Sequence, residues 1–222
     1  MSNQKMSNIE IFSIEGNIGG GKSTLLEALK KIKWVDKKIV FVREPVDEWE
    51  KIKDGKGITI LEKFYNDQEK YSFPFQMLAF ITRLKLLKEA VELNPDSIII
   101  TERSLYTDKL VFAKMLYDSK KMEDVNYYIY LNWFDTFSEN YPVKKIIYIK
   151  TNPEICFERI EKRSRQGEST IPLEYLNECD IYHEKMMNEL NVEKLVLDGN
   201  IDIYDNKEKL DEWINSIKEF IF

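Results

Sequence analysis

An α/β fold on a doubly wound, five-stranded parallel sheet flanked by helices is what the sequence predicts, on three observations. Short apolar, β-branched runs recur at Ile9–Ile14, Ile39–Val42, Ile98–Thr101, Ile146–Ile149 and Leu195–Leu197; longer helix-patterned segments separate them; charged residues follow each run. Runs that are apolar throughout, rather than alternating, read as strands buried on both faces by helices. Strands separated by helices imply right-handed crossovers, and ligands then collect at the carboxyl ends of the strands. The 222 residues, 43% hydrophobic and 13% aromatic, can bury one sizeable core, and no repeat, low-complexity tract or linker divides them. One domain is expected, with a flexible terminus at residues 1–8.

Composition narrows the function classes. A formal net charge of −6 argues against duplex nucleic acid or an anionic membrane as the main partner, since both require a cationic face. The polar segment Met1–Asn8 lacks the apolar centre of a signal peptide, and no run approaches the ~20 apolar residues that span a bilayer, so a cytoplasmic protein is expected. Cys156 and Cys179 have no metal-ligand spacing and read as reduced packing residues. His183 is the single histidine, which excludes zinc sites built on several; beside Glu184 in a helix-like segment, it reads as a solvated or hydrogen-bonded structural residue. Carboxylates, lysines and arginines are left to carry the chemistry.

The end of the first run gives the strongest motif. Gly16-Asn17-Ile18-Gly19-Gly20-Gly21-Lys22-Ser23 fits G-x-x-x-x-G-K-[ST] and lies between a strand and the helical run Thr24–Lys31, the context that the motif requires. The glycines let the backbone turn its N–H groups onto phosphates, Lys22 reaches the β and γ oxygens, and Ser23 can ligate Mg²⁺. The helix that opens around Thr24 adds its positive dipole end. A nucleoside triphosphate, ATP or GTP, is therefore expected. A guanine-nucleotide switch is disfavoured: Asn206-Lys207-Glu208-Lys209 ends in the wrong residue for Asn-Lys-x-Asp, and Asp54-Gly55-Lys56-Gly57 fits D-x-x-G only within an expected surface loop, Lys51–Gly57.

The other strand ends extend the site. Glu44 closes the second run, where a carboxylate can accept the proton of, and orient, an attacking hydroxyl; Glu102 closes the third, where such proteins offer a carboxylate to Mg²⁺. Which of the two takes the proton stays open. Lys150 and Asp198 end the remaining runs and read as solvated charges. Arg159, Arg163 and Arg165 fall within two helical turns, near Gly167: an exposed basic helix end, or an arginine lid over a transferring phosphoryl group. Ser72–Leu93 reads as one long apolar helix carrying Gln76 and Arg83 on one face, and polar groups there need partners.

Four blocks together resemble the deoxynucleoside kinase family of deoxycytidine, deoxyguanosine and deoxyadenosine kinases. They are Gly16–Thr24; Glu44-Pro45-Val46-Asp47-Glu48-Trp49; Glu102-Arg103-Ser104-Leu105-Tyr106-Thr107-Asp108; and Arg159 through Arg163-Ser164-Arg165 to Ile171-Pro172-Leu173-Glu174-Tyr175. The resemblance covers nearly the whole chain and implies ATP- and Mg²⁺-dependent phosphorylation of a 5′-hydroxyl, in nucleotide salvage. It assigns Glu44 to the hydroxyl, Arg103 to the hydroxyl or phosphate side, and the Arg159–Arg165 cluster to a lid. Asp202-Ile203 takes the place of the adenine-contacting loop, although Ile203 stands where an aromatic is frequent. Gln76 is implied to bond the base and Arg83 with Asp108 to flank its exocyclic edge. Phe75 and Phe112 become aromatic walls, Tyr65 and Glu174 hold the 3′-hydroxyl, and Trp49 closes the sugar pocket. Members that prefer thymidine carry smaller apolar residues in place of the Arg83–Asp108 pair, so deoxycytidine or a purine deoxynucleoside is expected, with Phe80–Lys85 and Phe112-Ala113-Lys114 leaning to purines. A homodimer through Ser104–Tyr117 and Val125–Ser138 is implied. The rivals are a thymidylate kinase-like enzyme, which needs further cations for its acceptor's phosphate, and a regulatory ATPase without a small acceptor.

Overall fold

The computed structural model describes residues 9–163 and 171–222; the N-terminal segment, Arg165 and Gly167 fall outside them. Each predicted run is a strand: β1 (Glu10–Glu15), β2 (Ile39–Val42), β3 (Ile98–Glu102), β4 (Val143–Lys150) and β5 (Glu193–Asp198). All pair in parallel, in the order β2-β3-β1-β4-β5. The chain builds from β1 to one side and then crosses to the other, so the order reverses around β1 and a crevice opens at that strand's carboxyl end. The glycine-rich turn begins there.

Between and after the strands lie α1 (Lys22–Lys30), α2 (Val46–Lys51), α3 (Ile60–Asn66), α4 (Gln68–Leu93), α5 (Lys114–Asp118), α6 (Asp124–Ser138), α7 (Pro153–Arg163), α8 (Leu173–Glu189) and α9 (Lys207–Ile221). The helix predicted from Ser72 starts four residues earlier, because the Asp67 side chain caps it by accepting from the Lys70 N–H. Lys51–Gly57 is more ordered than a plain loop. Lys53 bridges Thr59 in antiparallel fashion, and Asp54 accepts from the N–H groups of Lys56 and Ile58 while pairing with Lys63.

Alternation along the strands sorts the core into two layers. Phe12, Ile14, Ile100 and Ile147 meet Leu25, Leu26 and Leu29 of α1 and Trp213 and Ile217 of α9; on the opposite face, Ile11, Ile99 and Ile146 pack with Phe80, Leu87, Tyr130, Phe134 and Met186 from α4, α6 and α8. A third apolar cluster roofs the carboxyl ends, joining Trp49, Phe64, Phe75 and Leu176, and it holds both cysteines, buried and free, in the packing role expected of them. His183 is fully buried, so of its two expected states the hydrogen-bonded one holds.

Against this well-covered core, α6 turns an apolar stripe outward. Val125, Tyr128, Ile129, Trp133 and Phe137 are exposed, with Trp133 stacked on Phe137 at 5.3 Å between ring centroids. Among the described residues no helix is long and apolar enough to cross a membrane.

Candidate active site

Close approach dictates the glycines of the loop after β1. A Cβ at Gly16 would stand 2.5 Å from the Ile149 carbonyl oxygen and one at Gly19 2.5 Å from that of Cys156, and both residues have positive φ. The loop is pinned from the side by Asn17, whose Nδ2 donates to the Leu176 carbonyl at 2.9 Å. Gly21 precedes α1 without a side-chain cap, leaving the first-turn N–H groups available to an anion. Lys22 is buried and donates to the Asn17 carbonyl at 2.7 Å; burial, reinforced by the charge of Arg103, lowers it to about 8.

A cavity of about 670 Å³ runs from this loop across the strand ends. Gly19 to Thr24 line one end, Gln76, Arg83 and Asp108 the other, and Glu44, Glu102 and Arg103 lie between them. Trp49, Tyr65, Phe75 and Phe112 wall the second end; Arg159, Arg163, Asp202 and Ile203 border the first. Gly16 and Asn17 belong to the loop but not to the cavity lining. Most of the sequence-predicted residues thus converge on one cavity. Glu174 is exposed on the first turn of α8 and lies outside the lining, where its neighbour Tyr175 faces the cavity instead, edge-on to Tyr65 with ring centroids 6.0 Å apart. Successive helical residues diverge by ~100°, so Glu174 and Tyr175 leave α8 in different directions. Ile203 is 5% exposed and belongs mainly to the core against α9, whereas Tyr204, 82% exposed, puts an aromatic ring at the cavity edge one residue later. Arg165 lies outside the described residues.

The centre is a charged network. Glu44 Oε1 accepts from Arg83 NH2 at 3.0 Å and forms an ion pair with Arg103, whose Nε lies 3.1 Å away. Arg83 further donates through Nε to Asp108 at 2.9 Å and through NH1 to the Glu102 carbonyl at 2.8 Å; Arg103 NH1 donates to the Gly16 carbonyl at 2.9 Å. Side-chain exposure singles out one member: Glu44 is 19% exposed, Arg83 4%, Asp108 and Arg103 2%. Burial opposes the Glu44 charge, but Arg103, then Arg83 and Lys22, outweigh it and hold the carboxyl down to about 2. Asp108 is the reverse case: burial raises it to about 6 against the pull of Arg83. The Thr107–Ala113 stretch that presents Asp108 and Phe112 is wound as a π-helix, a wide turn found frequently at functional sites.

Three further features bear on ligands. Ser23 Oγ donates to Glu102 Oε1 at 2.5 Å, an adjacent pair of oxygen ligands suited to a hard cation that takes its other ligands from phosphates and water. Gln76 is 2% exposed, and its Oε1 has no hydrogen-bond partner among the described residues, an orphaned acceptor on the cavity wall. Arg159 donates to the Gly199 carbonyl at 2.9 Å, and Lys162, which sequence reasoning passed over, adds a cation beside it.

Fold and cavity together define a P-loop kinase. A family model for deoxynucleoside kinases matches residues 12–222, and the chain belongs to that family. Its relatives include a probable deoxycytidine kinase of Fowlpox virus, 35% identical with 94% of this chain and 87% of that protein aligned. Deoxycytidine kinase 1 of Xenopus laevis is 32% identical over 96% and 91% of the two chains, and the mitochondrial deoxyguanosine kinase of Xenopus laevis 30% identical over 100% and 93%. The enzyme phosphorylates a deoxynucleoside at the expense of a nucleotide donor.

Substituting Gly19 tests the cradle. Gly19→Ala combines a positive φ with a Cβ overlap on the Cys156 carbonyl, whereas a Cβ at Gly55 meets nothing within 4 Å. Calorimetric titration with ATP should show at least ~10-fold weaker binding for Gly19→Ala and unchanged binding for Gly55→Ala, a tenfold change corresponding to ~1.4 kcal/mol.

Proposed function

We propose that this kinase transfers the γ-phosphoryl group of ATP to the 5′-hydroxyl of a purine deoxynucleoside or deoxycytidine, yielding the 5′-monophosphate, as a cytoplasmic homodimer. One observation carries the reading: a single cavity joins the phosphate loop to the unpartnered amide oxygen of Gln76, and Glu44 is the exposed acid between them.

On this reading the loop N–H groups and Lys22 hold the triphosphate, Lys22 exchanging the Asn17 carbonyl for phosphate oxygens. Ser23 and Glu102 would hold Mg²⁺, which when bound neutralises charge on the phosphates. With Glu102 turned to Ser23, Glu44 is the carboxylate left to receive the hydroxyl. A carboxyl held near 2 is a weak base, so Glu44 accepts a hydrogen bond and aims the oxygen at phosphorus. That suffices for a loose transition state, in which the nucleophile's proton leaves late. Arg103 keeps Glu44 in place, and Arg159 and Arg163 balance charge on the donor side. Gln76, Arg83 and Asp108 read the base between Phe75 and Phe112, while Tyr65 and Trp49 bound the sugar. A base that left these buried groups unpaired would be rejected by roughly 10⁴-fold or more. An acceptor already bearing a phosphate is disfavoured, because Arg83 and Arg103 are engaged by carboxylates and carbonyls. The α6 stripe supports the dimer, and the buried free thiols suit a reducing compartment.

A coupled assay with the four natural deoxynucleosides and Mg·ATP should give turnover, least with thymidine; none with any of them would overturn the reaction. Glu44→Gln should lower kcat by roughly 10²–10⁴-fold while leaving calorimetric ATP affinity within about threefold, the range for loss of a positioned acid–base group. Arg83→Met combined with Asp108→Ala should raise the thymidine-to-deoxyguanosine ratio of kcat/KM, and an unchanged ratio would displace the base pocket from these residues. For the assembly, sedimentation should find wild-type dimers and Trp133→Glu monomers; monomeric wild type would refute it.

A further inference from the structure

Arg103 is an unusual residue for its position. Its φ of +63° lies in the left-handed region, which a non-glycine side chain adopts at a cost and keeps only where its surroundings over-determine it. The backbone is tied by the Arg103 N–H to the Ile14 carbonyl at 2.9 Å, and the guanidinium lies 4.9 Å from the Phe112 ring centroid. Three partners from three parts of the chain surround that guanidinium: Gly16 O in the phosphate loop, the Glu44 carboxylate after β2 as an ion pair, and Nε2 of His183 on α8, 3.2 Å from NH1.

The histidine contact has a definite sense. His183 Nδ1 lies 2.7 Å from the Cys179 carbonyl, which can only accept, so Nδ1 carries the proton. Nε2 is then a lone pair facing a guanidinium, which can only donate. Both contacts are satisfied by one neutral tautomer, and burial followed by the charge of Arg103 keeps the ring neutral by pushing its pKa well below the usual histidine range. A neutral acceptor suits this place. A carboxylate here would compete with Glu44 for the guanidinium; an apolar side chain would leave NH1 held by the Gly16 carbonyl alone and the guanidinium less firmly placed beside Glu44.

We propose that His183 is a positioning residue for phosphoryl transfer, its Nε2 holding the Arg103 guanidinium across Gly16 and Glu44 so that the loop and the hydroxyl-orienting carboxylate keep a fixed separation. The inference rests on the reaction proposed above. It also gives α8 a second tie to the phosphate loop beside Asn17 and Leu176.

The test compares wild type, His183→Leu, His183→Gln and His183→Asn by steady-state kinetics with ATP and the best deoxynucleoside, with melting midpoints measured in parallel. Leu removes both polar contacts; Gln can still place an acceptor at Arg103; Asn can satisfy only the Cys179 carbonyl. His183→Leu and His183→Asn should lose about 10–100-fold in kcat with KM for ATP within about threefold, the size of effect expected from an ångström-scale misplacement near the chemistry. His183→Gln should recover most of it. In an Arg103→Lys background, His183→Asn should cost no further activity. Should the Leu variant fail to fold, Asn and Gln carry the comparison alone. Equal kcat in wild type and His183→Asn, losses that track the melting midpoints with no rescue by Gln, or an additive loss in the Arg103→Lys background would each overturn the role of His183. Absence of turnover in wild type would instead overturn the reaction.

Discussion

The arrangement depends on one carboxylate held between two arginines. Glu44 pairs with Arg83 and Arg103 through the same oxygen, and those arginines in turn reach Asp108, the Glu102 backbone and the first glycine of the phosphate loop. Burying four charges would be prohibitive singly, because each loses its hydration, and it becomes tolerable only when each is paired and hydrogen-bonded. Here the pairing also sets geometry. Every partner sits at or just beyond a strand end or on a helix packed against one, so the network converts the register of the sheet into a fixed spacing between phosphate loop, Glu44 and the wall carrying Asp108.

The sheet order makes this spacing possible. With β1 at the centre and β3 beside it, the ends of two adjacent strands deliver Gly16 and Glu102-Arg103 side by side, and β2 delivers Glu44 from beyond β3. The helices over these ends then divide the work. The face of α4 supplies Gln76 and Arg83 from one side, and α8 grips the loop through Leu176 and touches Arg103 through His183 from the other. The π-helical turn after β3 completes the wall, setting Asp108 against Arg83 and Phe112 against Arg103.

Much of this was legible in the sequence, for identifiable reasons. Buried parallel strands are apolar throughout, so Ile98–Thr101 and Ile146–Ile149 announced themselves, and a phosphate cradle needs glycines at fixed intervals before Lys-Ser. Gln76 and Arg83 stood out because polar groups on an apolar helix demand partners. Asp108 was reached only through family likeness, since nothing in Thr107-Asp108-Lys109 reveals that the chain there widens into a π-helix. Glu174 and Tyr175 show the limit on a helix face: neighbours in sequence point different ways, and which one turns inward is decided by how α8 packs. Ile203 and Tyr204 repeat that lesson in a loop, where the apolar residue is drawn into the core and the aromatic one is left at the cavity edge. His183 was unreadable as a partner of Arg103, because their contact joins residues 80 apart in sequence across the sheet edge.

The two ends of the cavity differ in how complete they are without a ligand. At the centre, all three nitrogens of Arg83 already have protein acceptors, so its orientation is set before any ligand arrives. Gln76 is the opposite: its oxygen is buried and unanswered, a deficit that only an incoming donor can relieve. Binding by such a pair is selective through what it leaves unpaired. A ligand that offers a donor to Gln76 relieves an existing penalty, whereas one that displaces the Arg83–Asp108 contact without replacing it creates a new one. The site is thus unequally satisfied before any ligand arrives, with Arg83 fully engaged and the Gln76 oxygen unanswered.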